Sequence, residues 1–297
     1  MRLLSIFPKP LKNWQDCFVN RTTFKKENLF TIYPPAGTLG FFHPKWNIAL
    51  EDVEDRIKQQ KSTCILTLGA LPQWFCLEDI RVGALRGTTQ WSDRFACKVL
   101  PTFDLDSVYA DQSTRHAFTL DISKALTEST YKEIRRKDRI VTIVQRPGEL
   151  RTYFKGFDLN GTEPLACDIE TEANQVTSIA FSWTPERSVV VPFWDKLKKG
   201  WSAFTREEEA LLWIEIATIL AGACPKLFHN GVYDVTYLQE AHKIAVCGPL
   251  EDSMLMAHAL QPELPKSLGH LGSLYANEGA WKELNRAKKK DLNKKDA

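Results

Sequence analysis

The sequence lacks a C-x-x-C pair, although it contains seven cysteines in 297 residues. Structural zinc sites are usually built on closely spaced cysteine pairs of this kind, so a zinc finger or ribbon is excluded. The odd number of cysteines and their irregular spacing also exclude a regular disulfide framework. Free thiols are typical of a reducing compartment, and we therefore expect a cytoplasmic protein.

Long apolar runs and a large excess of one charge are also missing. The opening stretch MRLLSIFP is too short for a signal peptide, and no later stretch approaches the ~20 apolar residues of a membrane-spanning helix. The net charge is only +2, so any basic surface for nucleic acid must be local. The content of 43% hydrophobic and 26% charged residues is that of an ordinary globular protein, and the length allows two domains.

The first half alternates between strand and helix patterns, which predicts an α/β domain over residues 1–137. Residues 63–69 form a nearly continuous apolar run that ends in glycine, as expected of a parallel strand buried on both faces. Further strands are predicted at 29–33 and 98–103, and a closing helix at 121–137.

This first half resembles the uracil-DNA glycosylase superfamily. The resemblance covers residues 29–137 and rests on ILTLGA at 65–70, Arg86-Gly87 and VLPTF at 99–103. That family carries a His-Pro pair after the last of these motifs, whereas this chain has Asp104-Leu105, and the family's early glycine-rich acidic loop has no counterpart. We therefore expect a glycosylase-like domain without glycosylase activity, used for structure or DNA contact. An unrelated α/β domain is the alternative.

The second half predicts a mixed sheet with helices on its faces. Strand patterns at 139–144, 177–183 and 188–193 surround a central strand that contains Ala166 to Glu172. Thr205 and Glu208 form a capping-box pattern before an apolar helix, and a strand at 226–229 follows it.

Acidic residues stand at the ends of several of these elements. Asp168 and Glu170 lie two positions apart on the central strand, so they project from the same face while Cys167 and Ile169 are buried. Such pairs also occur on ordinary solvent-facing strands. Asp234 lies one turn into the helix that follows Asn230, and the two residues could equally be a first-turn acid and an N-cap. Asp252, before the next helix, is interpreted as a helix cap or a supporting residue.

Taken in order, these motifs resemble the DEDD 3′–5′ exonucleases, specifically the proofreading domain of family A DNA polymerases. The matching residues are Asp168-Ile169-Glu170-Thr171, Asn230-x-x-x-Asp234, Asp252-Ser253-Met254, Leu264-Pro265-Lys266-Ser267-Leu268 and Asp296. The resemblance implies a ribonuclease-H-like fold over residues 138–297. It also implies two divalent cations, Mg²⁺ or Mn²⁺, held by Asp168, Glu170, Asp234 and Asp296. Four carboxylates without histidine or cysteine suit such hard cations.

The resemblance further implies contact with a single-stranded DNA 3′ end. Asn230 and Tyr233 are the predicted substrate contacts near the acids, and Lys288 and Lys289 are predicted to contact phosphates from a locally basic C-terminal segment. A solvated helix face is the alternative for those lysines. Tyr233, Tyr275 and Trp281 are candidate stacking surfaces for bases, unless they are buried in the core.

One departure from the family concerns the attacking water. The family places a tyrosine four residues, or a histidine five residues, before the last acid, and this chain has Leu292 and Asp291 there. The position of Asp296 near the chain end suggests a fragment that continues into a polymerase domain, in a phage-like replication protein acting in the host cytoplasm. Three functions stay open: an active exonuclease, a DNA-binding or scaffold module of a replication polymerase without turnover, and, least favoured, a uracil-DNA glycosylase.

Overall fold

The computed structural model describes residues 2–6, 29–32, 54–55, 57–59, 61–135, 138–195, 197, 202–276 and 278. The chain divides into two compact units, one comprising Met1–Arg135 with Glu263–Ala297 and the other Arg136–Pro262. The start of the second unit lies close to the boundary predicted at 137/138. The predicted second domain, however, runs from 138 to 297, whereas the described residues from Glu263 onward group with the first unit.

The first unit is built on a five-stranded sheet. Its strands are β1 (Arg2–Ile6), β2 (Leu29–Ile32), β3 (Cys64–Leu68), β4 (Gln90–Ser92) and β5 (Cys97–Thr102), in the order β2-β1-β3-β5-β4. Only β4 runs antiparallel to its neighbour. The described helices are α1 (Ala70–Leu77), α2 (Val82–Leu85), α3 (Leu105–Ala110) and α4 (Gln112–Glu128).

The central strand β3 is buried at every residue. Leu66 and Leu68 pack into one apolar cluster with Leu100, whereas Ile65 packs into a second cluster with Phe75. Successive residues of a strand point to opposite faces, so the two clusters lie on the two sides of the sheet. The prediction of a doubly buried parallel strand is confirmed.

The closing helix differs from the prediction of 121–137. It spans Gln112–Glu128, and the side chain of Asp111 caps it by accepting a hydrogen bond from the Ser113 amide at 2.8 Å. The prediction placed the basic residues Lys132, Arg135, Arg136 and Lys137 towards the C-terminal end of the helix, where the dipole would favour them. The helix instead ends before them, with Ser129 at its C-cap.

The second unit contains a six-stranded mixed sheet. Its strands are β6 (Ile140–Ile143), β7 (Leu165–Glu172), β8 (Gln175–Thr184), β9 (Arg187–Pro192), β10 (Lys226–Phe228) and β11 (Leu250–Asp252), in the order β11-β10-β7-β8-β9-β6. Strands β7, β8 and β9 form an antiparallel meander, and the other neighbours are parallel. The helices are α5 (Glu149–Tyr153), α6 (Arg206–Leu220), α7 (Gly231–His242) and α8 (Ser253–Leu260).

The core of the second unit lies between the sheet and its helices. Cys167 and Ile169 of β7 pack with Leu212 and Ile216 of α6 and with Leu238 of α7. The predicted capping box at the start of α6 is confirmed, since Thr205 and Glu208 bond reciprocally. The mixed α/β sheet flanked by helices is therefore present as predicted.

The described residues after the second unit group with the first unit because they contact it. They form the helix α9 (Leu268–Leu271) and a π-helical turn (Gly272–Ala276). Ser273 in this turn is buried, and its hydroxyl accepts a hydrogen bond from Arg86 at 3.1 Å. Lys124 donates to the Ser273 carbonyl oxygen. In the described part of the chain, no helix combines the length and apolarity that a membrane crossing requires.

Candidate functional site

The acidic pair of β7 lies on the exposed face of its strand. Asp168 and Glu170 are exposed, and the alternating residues Cys167 and Ile169 are buried in the core. This is the alternation predicted from the sequence. Both carboxylates are therefore presented to solvent from one strand.

Asp234 joins this strand through a backbone hydrogen bond. Strand β10 pairs with β7 at Leu165 and Ala166. Further along β7, the Ile169 amide donates to Oδ1 of Asp234 at 3.0 Å, so a helix side chain accepts where a strand carbonyl otherwise would. Because Ile169 lies between Asp168 and Glu170, the Asp234 carboxyl group is held at the backbone between these two residues.

The electrostatic environment of Asp234 is unfavourable for its negative charge. Asp234 is only 5% exposed, and this burial raises its pKa. Hydrogen bonds from the amides of Ile169 and of Asp234 itself oppose the rise, and the negative charges of Glu170 and Asp252 add to it. A bound cation would relieve this repulsion.

The first turn of α7 is held by its neighbours. Asn230 occupies the N-cap position with φ +67°, and its side chain makes no capping hydrogen bond. The carboxylate of Asp252 accepts instead from the Asn230 amide at 3.1 Å and from the Gly231 amide at 2.7 Å. Asn230 is therefore the N-cap residue that the alternative predicted, but its side chain is exposed and makes no cap bond, so its substrate role stays a prediction.

Asp252 also caps its own helix, as predicted. It accepts from the amides of Met254 at 2.8 Å and Leu255 at 3.3 Å at the start of α8. Burial by itself raises the Asp252 pKa, but the four backbone donors outweigh it and lower the pKa overall. The group is thus stabilised as an anion.

Tyr233 of α7 reaches the end of β7 at Thr171, the residue after Glu170. Its hydroxyl is 2.6 Å from the Thr171 hydroxyl, and the ring is half exposed. The pairing of β7 with β8 shifts register between Glu170 and Thr171. Tyr233 can therefore face a ligand at the strand end while its hydroxyl stays bonded.

Two clefts run beside α7, and sequence reasoning missed most of their lining. One of about 720 Å³ is lined by Asn230, Tyr233 and Tyr237, among others. The other, of about 400 Å³, contains Trp213, whose ring stacks on His242 with a centroid distance of 4.0 Å. Aromatic residues four positions apart on a helix are the signal that could have indicated the Tyr233–Tyr237 pair. Asp168, Glu170 and Asp234 line neither cleft.

The carboxylates of Asp168, Glu170 and Asp234 are of the ligand type that a hard divalent cation prefers, but they do not by themselves form a complete metal site. The clustered groups are carboxylates, which Mg²⁺ and Mn²⁺ prefer. Within the described ranges, however, no group of three or more histidine, cysteine, aspartate or glutamate side chains is arranged to hold a metal ion. Asp296, Lys288, Lys289 and Trp281 lie outside the described residues. Tyr275 belongs to the first unit, where it is exposed.

Asp104, where the predicted resemblance to the glycosylases fails, has a structural role. It accepts hydrogen bonds from the amide and the hydroxyl of Ser107, both at 2.8 Å, and so caps α3. The resemblance of this unit to the glycosylases stays a prediction.

No protein-family model and no curated protein matches the chain. Solved structures with similar coordinates include the EXD2 exonuclease domain soaked in Mn and GMP, at 19% identity and a TM-score of 0.29 over 47% of this chain and 70% of that one. Escherichia coli RNase D, an exoribonuclease involved in structured RNA processing, is 15% identical with a TM-score of 0.36. The match covers 47% of this chain and 34% of that one. The POL domain of Pol1 from M. smegmatis, in complex with DNA primer-template and dNTP, is 22% identical with a TM-score of 0.34. The match covers 46% of this chain and 23% of that one. These TM-scores are low, so the function proposed below rests on the residues of the site.

Proposed function

We propose that this chain is a metal-dependent 3′–5′ exonuclease that removes nucleotides from DNA 3′ ends. The observation that carries the proposal is the hydrogen bond from Ile169 to Asp234. It joins two segments that are distant in the sequence, because the Asp234 carboxyl group accepts from the backbone of the residue between Asp168 and Glu170. In this proposal Asp168, Glu170 and Asp234, together with Asp296, hold two divalent cations, Mg²⁺ or Mn²⁺.

The chemistry requires a nucleophile in line with the scissile bond and relief of the charge that develops on the leaving 3′ oxygen. A pair of divalent cations supplies both when bound. The protein's own part is to hold carboxylates of high negative charge density on a rigid strand. Asp234 is held by the hydrogen bond that it accepts from the Ile169 amide, while Asp168 and Glu170 face solvent, where a phosphate can approach.

The substrate contacts proposed here are Asn230, Tyr233, Lys288 and Lys289. Tyr233 and Asn230 line the larger cleft beside α7, next to the end of β7. An exposed aromatic ring at this place can stack on a base, which a single strand offers and a duplex does not. A single-stranded 3′ end is therefore the proposed substrate, and proofreading within a family A DNA polymerase is the proposed setting.

A degradation assay tests the proposal. A 5′-labelled single strand of DNA is incubated with the chain and Mn²⁺ or Mg²⁺, and an RNA strand of the same sequence is run beside it. We expect metal-dependent shortening from the 3′ end that EDTA stops and Asp168→Ala abolishes. Glu163→Ala, which removes an exposed carboxylate elsewhere in the second unit, is the matched control and should keep the parent rate.

A second candidate function is DNA binding without turnover. Two observations favour it: the described residues form no group of three metal ligands, and Leu292 and Asp291 stand where the family has a tyrosine or histidine. Without that group, proton removal from the attacking water is slower by ~10²-fold or more. Retained binding of single-stranded DNA with no shortening in either metal would select this function.

A further inference from the structure

The Asp252 carboxylate connects the N-termini of two helices. Oδ1 accepts from Asn230, Met254 and Leu255, and Oδ2 accepts from Gly231. Two of these four amides open α7 and the other two belong to the first turn of α8. The first amides of a helix have no partner within the helix, so a single carboxylate satisfies both ends.

The sheet places Asp252 where this double contact is possible. Strand β11 pairs in parallel with β10, with Asp252 opposite Phe228 at the end of both strands. Asn230 and Gly231 follow Phe228 directly in the chain. The Asp252 carboxylate and the start of α7 therefore lie at the same level of the sheet edge.

The first turn of α7 has little freedom at this point. A Cβ atom built on Gly231 would lie 2.4 Å from the Phe228 Cβ, so the helix start is packed directly against the end of β10. One turn further, Asp234 accepts the Ile169 amide at 3.0 Å. A continuous set of contacts thus runs from Asp252 through α7 to the stretch between Asp168 and Glu170.

We infer that Asp252 is a positioning residue that sets the first turn of α7 and thereby the placement of Asp234 beside Asp168 and Glu170. This inference rests on the proposed function for its consequence, which is tighter metal binding. Asp252 acts through the backbone, because both of its oxygens accept backbone amides at the starts of the two helices. Partners that orient metal ligands typically change metal affinity when they are removed.

Asp252→Ser separates the two helix contacts. Serine is a good N-cap, so the start of α8 keeps its cap, but its single oxygen cannot also reach Asn230 and Gly231. Asp111→Ser is the matched control, since Asp111 caps α4 in the first unit. Mn²⁺ binding to the full chain without DNA is measured by calorimetry. We expect affinity to fall about 10- to 100-fold in Asp252→Ser and to be unchanged in Asp111→Ser.

Kinetics and hydrogen exchange complete the test. In Asp252→Ser, saturating Mn²⁺ should restore most of the parent rate, because bound metal draws Asp234 back into place. Without metal, the amides of Asn230, Gly231 and Ile169 should exchange faster than in the parent. The Ile169 amide is the direct reporter of Asp234. Unchanged exchange at Ile169 together with unchanged Mn²⁺ affinity would overturn the inference.

The two proposals fail in different ways. A parent chain that binds no Mn²⁺ overturns the proposed function, and exchange at Ile169 in Asp252→Ser then decides by itself whether Asp252 positions Asp234. If Asp252→Ser does not fold, Asp252→Asn replaces it. Its one acceptor oxygen can keep the bonds of Oδ1, but the NH₂ group then faces the Gly231 amide, donor against donor, and the contact with the start of α7 is weakened. Parent-like exchange at Ile169 in Asp252→Asn overturns the inference.

Discussion

Lys226 shows how single residues fix the strand next to the candidate site. It is fully buried at the start of β10, and its ammonium group donates to the carbonyl oxygens of Gly222, Cys224 and Cys247 at 2.7, 2.8 and 3.0 Å. A lysine has three donors, so all of them are used. The sequence gives no sign of this role, because a lone lysine in a strand pattern is normally exposed.

Replacing Lys226 by methionine should destabilise the protein. The substitution keeps the volume but leaves buried carbonyl oxygens without donors, and each such loss costs about 1–3 kcal/mol. We expect a decrease of about 3 kcal/mol or more in the free energy of unfolding, measured in urea. Lys155→Met, at an exposed position, is the control and should change stability little. A decrease below about 1 kcal/mol for Lys226→Met would show that the three bonds do not stabilise the fold.

The lowered pKa of His270 predicts how the stability of the fold depends on pH. Burial lowers its pKa to about 4, and the charges of Arg86 and His116 add to this effect. The unfolded chain, with a histidine pKa near 6.5, therefore binds a proton that the folded chain rejects. Stability is fully present above pH ~6.5 and is lost as the pH falls towards 4. The unfolding midpoint of His270→Gln should fall less steeply over this window than that of the parent, while the exposed control His258→Gln should follow the parent.

At the scale of elements, α7 is the helix on which the candidate site depends. It carries Asn230, Tyr233 and Asp234, and its start lies directly against the end of β10. Glycine at position 231 permits this approach, since any side chain there meets Phe228. The orientation of the helix is therefore set by close packing as well as by hydrogen bonds.

Gly231→Ala should disturb this helix start. The added Cβ would lie 2.4 Å from the Phe228 Cβ, and relieving such a clash in a packed region costs about 1–3 kcal/mol. We expect that loss of stability together with weaker Mn²⁺ binding. Gly269→Ala in α9 is the control, since nothing lies within 4 Å of its built Cβ. Parent-like Mn²⁺ affinity in Gly231→Ala would show that the site tolerates a shifted helix.

At the scale of the whole molecule, the chain leaves the first unit after Arg135 and returns to it at Glu263. The segment that returns to the first unit contacts a buried ion pair there through Ser273. Arg86 and Asp121 are 3% and 0% exposed and lie 2.8 Å apart. Arg86 also donates to Ser273, and Thr102 donates to Asp121 at 2.7 Å. The second unit is thus an insertion in the sequence of the first.

Asp121→Asn tests this organisation. It leaves the Arg86 charge buried without a carboxylate, which typically costs about 3–5 kcal/mol. Calorimetric unfolding should show a lower midpoint for the first unit, and the transition of the second unit should stay in place. Arg81→Met removes an exposed ion pair and is the control. A shift of both transitions by the same amount would show that the units unfold together.

Periodicity and capping signals predicted the parts of the fold that depend on local sequence. The doubly buried β3 follows from a nearly continuous apolar run, and the exposed pair on β7 follows from alternation. The capping box of α6 follows from Thr205 and Glu208. The start of α4 at Gln112 has a local signal in its cap Asp111, which the prediction missed. The return of Ser273 to the first unit depends on tertiary contacts, which no window of sequence contains. For the candidate site, the sequence indicated the residue types. The Ile169–Asp234 hydrogen bond and the contacts of Asp252 with two helices depend on tertiary packing, so the sequence did not indicate them.

The most direct test of the central claim is the time course of a 5′-labelled single DNA strand with Mn²⁺, compared between the parent chain and Asp234→Asn. Asparagine keeps the size of the side chain and an acceptor for the Ile169 amide but removes the charge beside Asp168 and Glu170. The account predicts a ladder of products shortened from the 3′ end by the parent and none by Asp234→Asn, with Glu163→Ala unaffected. Equal shortening by the parent and Asp234→Asn would contradict it.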